Sequence, residues 1–123
     1  MNRKIFVCDD NLLILQSLEL VLSLTEATII SENRSTEALE YILQEKPDIF
    51  ICDLEMPVRS GEDLIKEIRS RRECDYLFII CVSASSEGRA IALNAGADYF
   101  LPKPFAINEL LPVVTAVLTS KNY

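Results

Sequence analysis

The chain has 123 residues, half of them apolar and a quarter charged, with a formal net charge of −7 at pH 7 and no histidine. This length allows one hydrophobic core without disulfides or a structural metal, so we expect a single domain over residues 1–123. The acidic balance disfavours direct binding to nucleic acid, and the lack of histidine excludes histidine-based acid–base catalysis.

The cysteines and the apolar segments both bear on the compartment. Cys8, Cys52 and Cys81 lie inside short apolar runs, Cys74 lies outside them, and no pair has C-x-x-C spacing. They are typical of small core residues in a reduced protein rather than of disulfides or zinc ligands. No apolar stretch has the length of a membrane span, so we expect a cytoplasmic protein without a membrane partner.

Apolar runs and amphipathic segments alternate five times along the chain. Each short apolar run predicts a buried strand, and each following segment has the periodicity of a helix. The predicted strands are residues 5–8, 27–31, 49–52, 77–82 and 99–101, and the predicted helices are residues 11–24, 35–46, 62–71, 86–95 and 107–119. We therefore predict a doubly wound, flavodoxin-like α/β fold whose five-stranded parallel sheet has the order 2-1-3-4-5, with five helices on both faces.

One basic cluster, formed by Arg69, Arg71 and Arg72, falls at the predicted end of the third helix. Positive side chains at that end interact favourably with the helix dipole. We expect a solvated helix end there rather than a phosphate-binding patch.

Polar side chains lie within two residues of the ends of four predicted strands. Asp9 and Asp10 follow the first strand, Asp53 the third, Ser83 the fourth and Lys103 the fifth. Ligands of a doubly wound sheet bind beyond the carboxyl ends of the strands, so these side chains should meet in one cleft. Three carboxylates in one cleft repel one another unless one is protonated or a cation neutralises them.

This set of side chains suits phosphoryl transfer. Hard cations such as Mg²⁺ (or Mn²⁺) prefer oxygen ligands, and an aspartate carboxylate is a competent nucleophile towards phosphorus. Lys103 adds a positive charge and Ser83 a hydroxyl donor. Singly, each residue has a plainer explanation as a helix cap, a turn residue or solvated surface, but their joint placement argues against coincidence.

The chain resembles the receiver domain of two-component response regulators, the CheY-like family, over essentially its full length. The resemblance rests on the acidic pair in V-C-D-D, the run D-L-E-M-P-V-R-S-G over residues 53–61, the pair Ser83-Ala84, and L-P-K-P-F over residues 101–105. It implies Mg²⁺-dependent transfer of a phosphoryl group to Asp53, which switches a partner-binding surface. It implies no enzymatic activity beyond self-catalysed phosphorylation and dephosphorylation.

The resemblance also implies a role for each residue around the metal and the phosphoryl group. Asp53 is expected to be phosphorylated, with Asp10 a direct metal ligand and Asp9 a ligand through water. The backbone carbonyl of Glu55 is a further expected metal contact, and Lys103 is expected to bind the phosphoryl group.

A second set of implied roles concerns switching and lifetime. Ser83 is the expected switch hydroxyl, and Phe100 the expected aromatic switch in place of the more usual tyrosine. The small Ala84 is expected to leave the phosphoryl group accessible. Glu55 and Ser85 are expected to tune dephosphorylation, the Glu55 carboxylate by repelling added charge or by binding the lysine or metal-bound water.

Two prolines carry structural expectations. The resemblance implies a cis peptide bond between Lys103 and Pro104. Pro112 falls inside the last predicted helix, where it removes one backbone hydrogen bond and should kink the helix or displace its start.

The implied partners are a sensor histidine kinase or histidine phosphotransfer domain and a downstream protein target or homodimer. The first predicted helix has more apolar residues than one core-facing stripe can bury. We therefore expect exposed leucines on it, with Leu13 and Ile14 as candidates for docking the phosphoryl donor.

Three alternatives are weighed against this hypothesis. The first is a pseudo-receiver that binds partners without phosphorylation, although no site residue is missing. The second is an aspartate-based phosphatase, suggested by Asp53-Leu54-Glu55, although its nucleophile would follow the first strand. The third is a flavodoxin-type FMN protein, in which Asp9 and Asp10 would repel the phosphate.

Overall fold

The structure is a computed structural model that describes residues 2–120. Five strands form one parallel sheet in the order β2-β1-β3-β4-β5, and five α-helices connect or follow them. The strands are β1 Lys4–Cys8, β2 Thr28–Glu32, β3 Ile49–Asp53, β4 Phe78–Ser83 and β5 Tyr99–Pro102. The helices are α1 Leu12–Leu22, α2 Ala38–Glu45, α3 Gly61–Arg69, α4 Gly88–Ala95 and α5 Ile107–Ser120. The predicted fold class and strand order are confirmed.

Both faces of the sheet are buried, because side chains alternate between two cores along each strand. Ile5, Val7 and their neighbours pack under α1 and α5, whereas Phe6, Cys8 and their neighbours pack under α2, α3 and α4. The central strand β3 is buried along its whole length. Only the ends of the strands are therefore available for chemistry.

The helix boundaries differ from the prediction for local reasons. Asn11 caps α1 by accepting the N–H groups of Leu13 and Ile14 at 3.0 and 3.2 Å. The predicted second helix opens with a 3-10 turn, Ser35–Glu37, and ends before Lys46, whose φ of 50° ends the helix just ahead of proline.

The last two helices also differ in detail. α4 begins at Gly88, two residues later than predicted, because the N–H of Glu87 donates to the Ser85 hydroxyl in a turn. α5 begins at Ile107 and continues through Pro112, so the proline does not displace its start. Within residues 2–120, no helix combines the length and the apolar character required to cross a bilayer.

Arg69 corrects the expectation of a solvated basic helix end. Its guanidinium donates to the carbonyls of Gly96 (2.8 Å), Cys74 (3.1 Å) and Leu77 (2.8 Å), and to the carboxylate of Asp98 (2.7 Å). These groups come from the start of β4, the end of α4 and the start of β5. Arg69 therefore ties together the amino-terminal end of this half of the sheet, where long-range contacts outweigh the local preference for solvent.

Candidate functional site

The carboxyl ends of the strands bring the predicted acidic residues together. Cys8 and Cys52 are paired in the parallel register of β1 and β3, so Asp9 and Asp53, which follow them, are neighbours. Carboxylate oxygens of Asp9, Asp10 and Asp53 lie within 4.8 Å of one another. The predicted crowding of three carboxylates is present, and we call this space the acidic cleft.

The carboxylates of the acidic cleft differ in exposure. Asp9 is 1% exposed and Asp53 is 5% exposed, whereas Asp10 lies at the surface. The Asp9 carboxylate is fixed, because it accepts the N–H of Asn11 at 2.9 Å and the ammonium of Lys103 at 3.3 Å. Asp10 is thus placed to contact a ligand that enters from solvent.

Asp53 is a destabilised carboxylate. Burial and the neighbouring charge of Asp9 raise the pKa of Asp53 from 3.8 to about 6, although Lys103, whose ammonium lies 3.2 Å from Oδ1, acts in the opposite direction. Burial acts to lower the pKa of Lys103, but Asp53 and Asp9 outweigh it and raise that pKa above its ordinary value. One permanent cation therefore faces the acidic cleft and leaves its negative charge incompletely compensated.

The loop after β3 folds back tightly over the strand end. A β-carbon on Gly61 would lie 2.3 Å from the carbonyl oxygen of Asp53, and the Gly61 N–H donates to the carbonyl of Leu54 at 2.8 Å. Only glycine permits this approach. The Ser60 hydroxyl caps α3 by accepting the N–H of Asp63.

Val58, at the tip of this loop, is a feature that the sequence did not indicate. Its φ is 68° and its side chain is 94% exposed. Left-handed backbone is unfavourable for a β-branched residue, so the loop holds strain beside the acidic cleft.

The Ser83 hydroxyl has two partners. It is fully buried, donates to Oε2 of Glu55 at 2.6 Å, and accepts the N–H of Ser85 at 3.0 Å. Of the contacts expected for the Glu55 carboxylate, the one with the lysine is not formed, because the Lys103 ammonium contacts Asp9 and Asp53.

The remaining predicted residues lie in or directly after β4 and β5. Phe100 is buried, and the guanidinium carbon of Arg89 lies 5.3 Å from the centre of its ring. Ala84 and Ser85 are exposed, as expected for residues that leave a phosphoryl group accessible. The peptide bond between Lys103 and Pro104 is cis.

The donor set of the acidic cleft fits a hard cation. Three thiols, those of Cys8, Cys52 and Cys81, lie in register one layer below the carboxylates on adjacent strands. Burial raises the pKa of Cys8 and of Cys81 to about 12, and that of Cys52 well above its usual value. These thiols stay protonated, so the ligands offered are oxygen atoms, as Mg²⁺ prefers.

An apolar groove of about 540 Å³ lies beside the acidic cleft, between α1 and the loop that joins β5 to α5. Its main lining residues are Ile14, Leu18, Val21, Phe105 and Ile107, and Lys103 and Ala84 border it. The groove therefore joins the acidic cleft to an apolar surface.

Comparison with known proteins agrees with this geometry. The family model of the response regulator receiver domain matches residues 5–115. Response regulator MprA of Mycobacterium ulcerans (strain Agy99) is 35% identical over 118 residues, which cover 96% of this chain and 51% of that protein. The chain thus spans about half the length of the curated relatives it matches.

Solved structures give the same result. The receiver domain of Francisella response regulator 1452 has a TM-score of 0.87 at 28% identity, with 98% of this chain and 100% of that chain covered. A response regulator receiver domain protein from Clostridium thermocellum has a TM-score of 0.85 at 26% identity, with 97% and 96% covered. With its acidic cleft at the carboxyl ends of a 2-1-3-4-5 sheet, the chain belongs to the response regulator receiver domain family.

Proposed function

We propose that the chain accepts a phosphoryl group on Asp53, with a divalent cation bound in the acidic cleft, and thereby switches a surface that binds a protein partner. The observation that carries this proposal is the convergence of three carboxylates, two of which, Asp9 and the buried Asp53, contact the ammonium of Lys103. Such a site stabilises a dianionic group only when a cation is present, and it offers a carboxylate as the nucleophile.

In the proposed reaction, a carboxylate oxygen of Asp53 attacks the phosphorus of a donor phosphohistidine or small acyl phosphate. A new P–O bond forms while the donor's bond to phosphorus breaks, and the leaving group takes the electron pair. Lys103 holds one equatorial oxygen of the phosphoryl group by charge. The Ser83 hydroxyl supplies a second donor once the group is in place.

The residues placed to hold the cation are Asp10, Asp9 and Asp53, with the backbone carbonyl of Glu55 as a fourth oxygen. Mg²⁺, or Mn²⁺, would neutralise the carboxylates and the incoming phosphoryl oxygens. Asp10 is the exposed member, and Asp9 is held by Asn11 and Lys103. We therefore assign direct coordination to Asp10 and a supporting role to Asp9.

The phosphoryl donor must be another protein or a small phosphodonor, because the chain has no histidine. We propose that a sensor histidine kinase or a histidine phosphotransfer domain docks on α1 and the apolar groove. Leu13 is 74% exposed at the end of α1 nearest the acidic cleft, whereas Ile14 is half-buried and packs on the core. Leu13 is therefore the better docking residue of the two.

Two substitutions on α1 test the docking surface. Leu20 is as exposed as Leu13 but lies two turns further from the acidic cleft. Leu13→Glu should slow phosphotransfer from a histidine kinase that labels the chain about tenfold, and Leu20→Glu should change it little. Labelling by acetyl phosphate should be unchanged in both. Equal effects on both routes would contradict the docking role.

We further propose that residues 1–123 act as one receiver domain in the cytoplasm, signalling to a protein target or a second copy rather than binding nucleic acid directly. The net charge of −7 supports this assignment.

The experiment that tests the proposed function is labelling by acetyl phosphate followed by intact mass measurement. One phosphoryl group should be added in Mg²⁺ and none in EDTA. No addition in Mg²⁺ would contradict the proposal and favour a pseudo-receiver.

A further inference from the structure

The hydroxyl of Ser83 has one proton, and in this structure the proton is directed to a carboxylate. The Ser83 Oγ donates to Glu55 Oε2 at 2.6 Å, and its remaining contact is the N–H of Ser85, which it accepts. Ser83 is fully buried, so solvent offers it no alternative acceptor. The side chain is therefore fully engaged in the unphosphorylated domain.

A serine hydroxyl can donate one hydrogen bond at a time. If Ser83 is to donate to a phosphoryl group on Asp53, it must first release Glu55. The bond to Glu55 is short and its acceptor is charged, and hydrogen bonds of this kind are about twice as strong as neutral ones. Phosphorylation and the Glu55 carboxylate therefore compete for the same proton.

We propose that Glu55 is a positioning residue that holds the switch hydroxyl in its resting orientation, so that switching requires this hydrogen bond to break. The inference rests on the proposed function, since it assumes that Asp53 carries the phosphoryl group. It adds a barrier to switching that is set by a side chain two residues after Asp53 in the sequence.

The contact between Ser83 and α4 connects a change in this hydrogen bond to the surface of the domain. A β-carbon on Gly88 would lie 2.9 Å from both Cβ and Oγ of Ser83 and 3.0 Å from Cζ of Phe100. The backbone at the start of α4 therefore packs directly on both residues, with no side chain between them. A change in the orientation of Ser83 therefore acts directly on the backbone of α4. Arg89, which follows Gly88, lies over the ring of Phe100.

A double-mutant cycle tests the proposal. Beryllofluoride, a tetrahedral phosphoryl mimic, is titrated with saturating Mg²⁺ into the full chain, Glu55→Ala, Ser83→Ala and the double variant, and binding is followed by fluorine NMR. Glu55 is exposed, so its replacement should not disturb folding, and alanine keeps the backbone carbonyl. Glu62→Ala is the matched control, because it removes the same charge from the same side of the site without a bond to Ser83.

Loss of negative charge alone should tighten binding equally with or without the Ser83 hydroxyl. The proposal predicts that Glu55→Ala tightens binding about tenfold more when Ser83 is intact than when it is combined with Ser83→Ala. Glu62→Ala should have the same small effect in both backgrounds. Equal effects of Glu55→Ala in the two backgrounds would overturn the proposal and leave the proposed function intact. Failure of the unaltered chain to bind beryllofluoride with Mg²⁺ would instead overturn both.

Discussion

Charged side chains are balanced at one end of the sheet and in excess at the other. At the amino-terminal end, the Arg69 guanidinium meets the Asp98 carboxylate at 2.7 Å, and the Lys4 ammonium meets Glu45 at 3.0 Å. At the carboxyl-terminal end, Asp9 and Asp53 share the ammonium of Lys103, and a carboxylate oxygen of Asp10 lies within 4.8 Å of theirs. We call the amino-terminal end, where the charges balance, the paired end, and the carboxyl-terminal end, where negative charge is in excess, the unpaired end. The paired end stabilises the fold, whereas the excess charge of the unpaired end lowers stability and creates affinity for a cation and a phosphoryl group.

The largest effect on stability is expected at the paired end. Arg69→Ala removes donors to three carbonyls and leaves Asp98 without its guanidinium, so the free energy of unfolding should fall by about 4 kcal/mol. Urea denaturation measures this change. Arg72→Ala, at an exposed arginine of the same cluster, is the control and should cost less than about 0.5 kcal/mol. Similar losses in the two variants would contradict the role of Arg69.

At the unpaired end, by contrast, removing a charged side chain should stabilise the protein. The folded pKa of Asp53, about 6, exceeds its unfolded value near 3.8, so the folded chain holds a proton that the unfolded chain has lost between these pH values. Stability should therefore fall as the pH rises from 4 to 6, by about 2 kcal/mol in EDTA. Asp53→Asn should remove this loss and stabilise the protein at pH 7.5 but not near pH 4.

The control for this prediction is Asp75→Asn, at an exposed aspartate remote from the acidic cleft. It should leave the pH dependence of stability unchanged. If Asp53→Asn is no more stable at pH 7.5 than the unaltered chain, the charge of Asp53 does not destabilise the folded protein.

Cation binding should offset the cost of the unpaired end. Mg²⁺ at a hundred times its dissociation constant should stabilise the folded chain by about 2.7 kcal/mol. Asp10→Ala should weaken this stabilisation more than any other single substitution outside Asp53, because Asp10 is the exposed carboxylate of the acidic cleft. Thermal denaturation across a Mg²⁺ titration measures it. An unchanged titration in Asp10→Ala would refute the metal role.

The smallest effect is expected at the strained loop. Val58→Asn should raise stability by about 1 kcal/mol, because asparagine tolerates the left-handed backbone and Val58 buries almost nothing. Val58→Ile keeps a β-branched side chain and should change stability little. A loss of stability in Val58→Asn, measured in urea, would show that the loop is not strained there.

The alternation of apolar runs and helices predicted the sheet, because a parallel sheet buried on both faces requires it. The same topology predicted that Asp9, Asp10 and Asp53 would meet, since residues that follow neighbouring strands share one edge. The sequence did not indicate the bond between Glu55 and Ser83, which depends on side-chain orientations in two separate loops. It also placed Arg69 in solvent, because nothing local reveals that α4 and β5 return to the end of α3.

The most direct test of the central claim is to locate the phosphoryl group. After labelling with acetyl phosphate in Mg²⁺, intact mass and peptide mapping should place a single acid-labile phosphoryl group on Asp53. Asp53→Asn should abolish the addition, whereas Asp63→Asn, at an exposed aspartate in the first turn of α3, should retain it. An equal or acid-stable addition in Asp53→Asn would contradict the assignment of Asp53 as the phosphorylated residue.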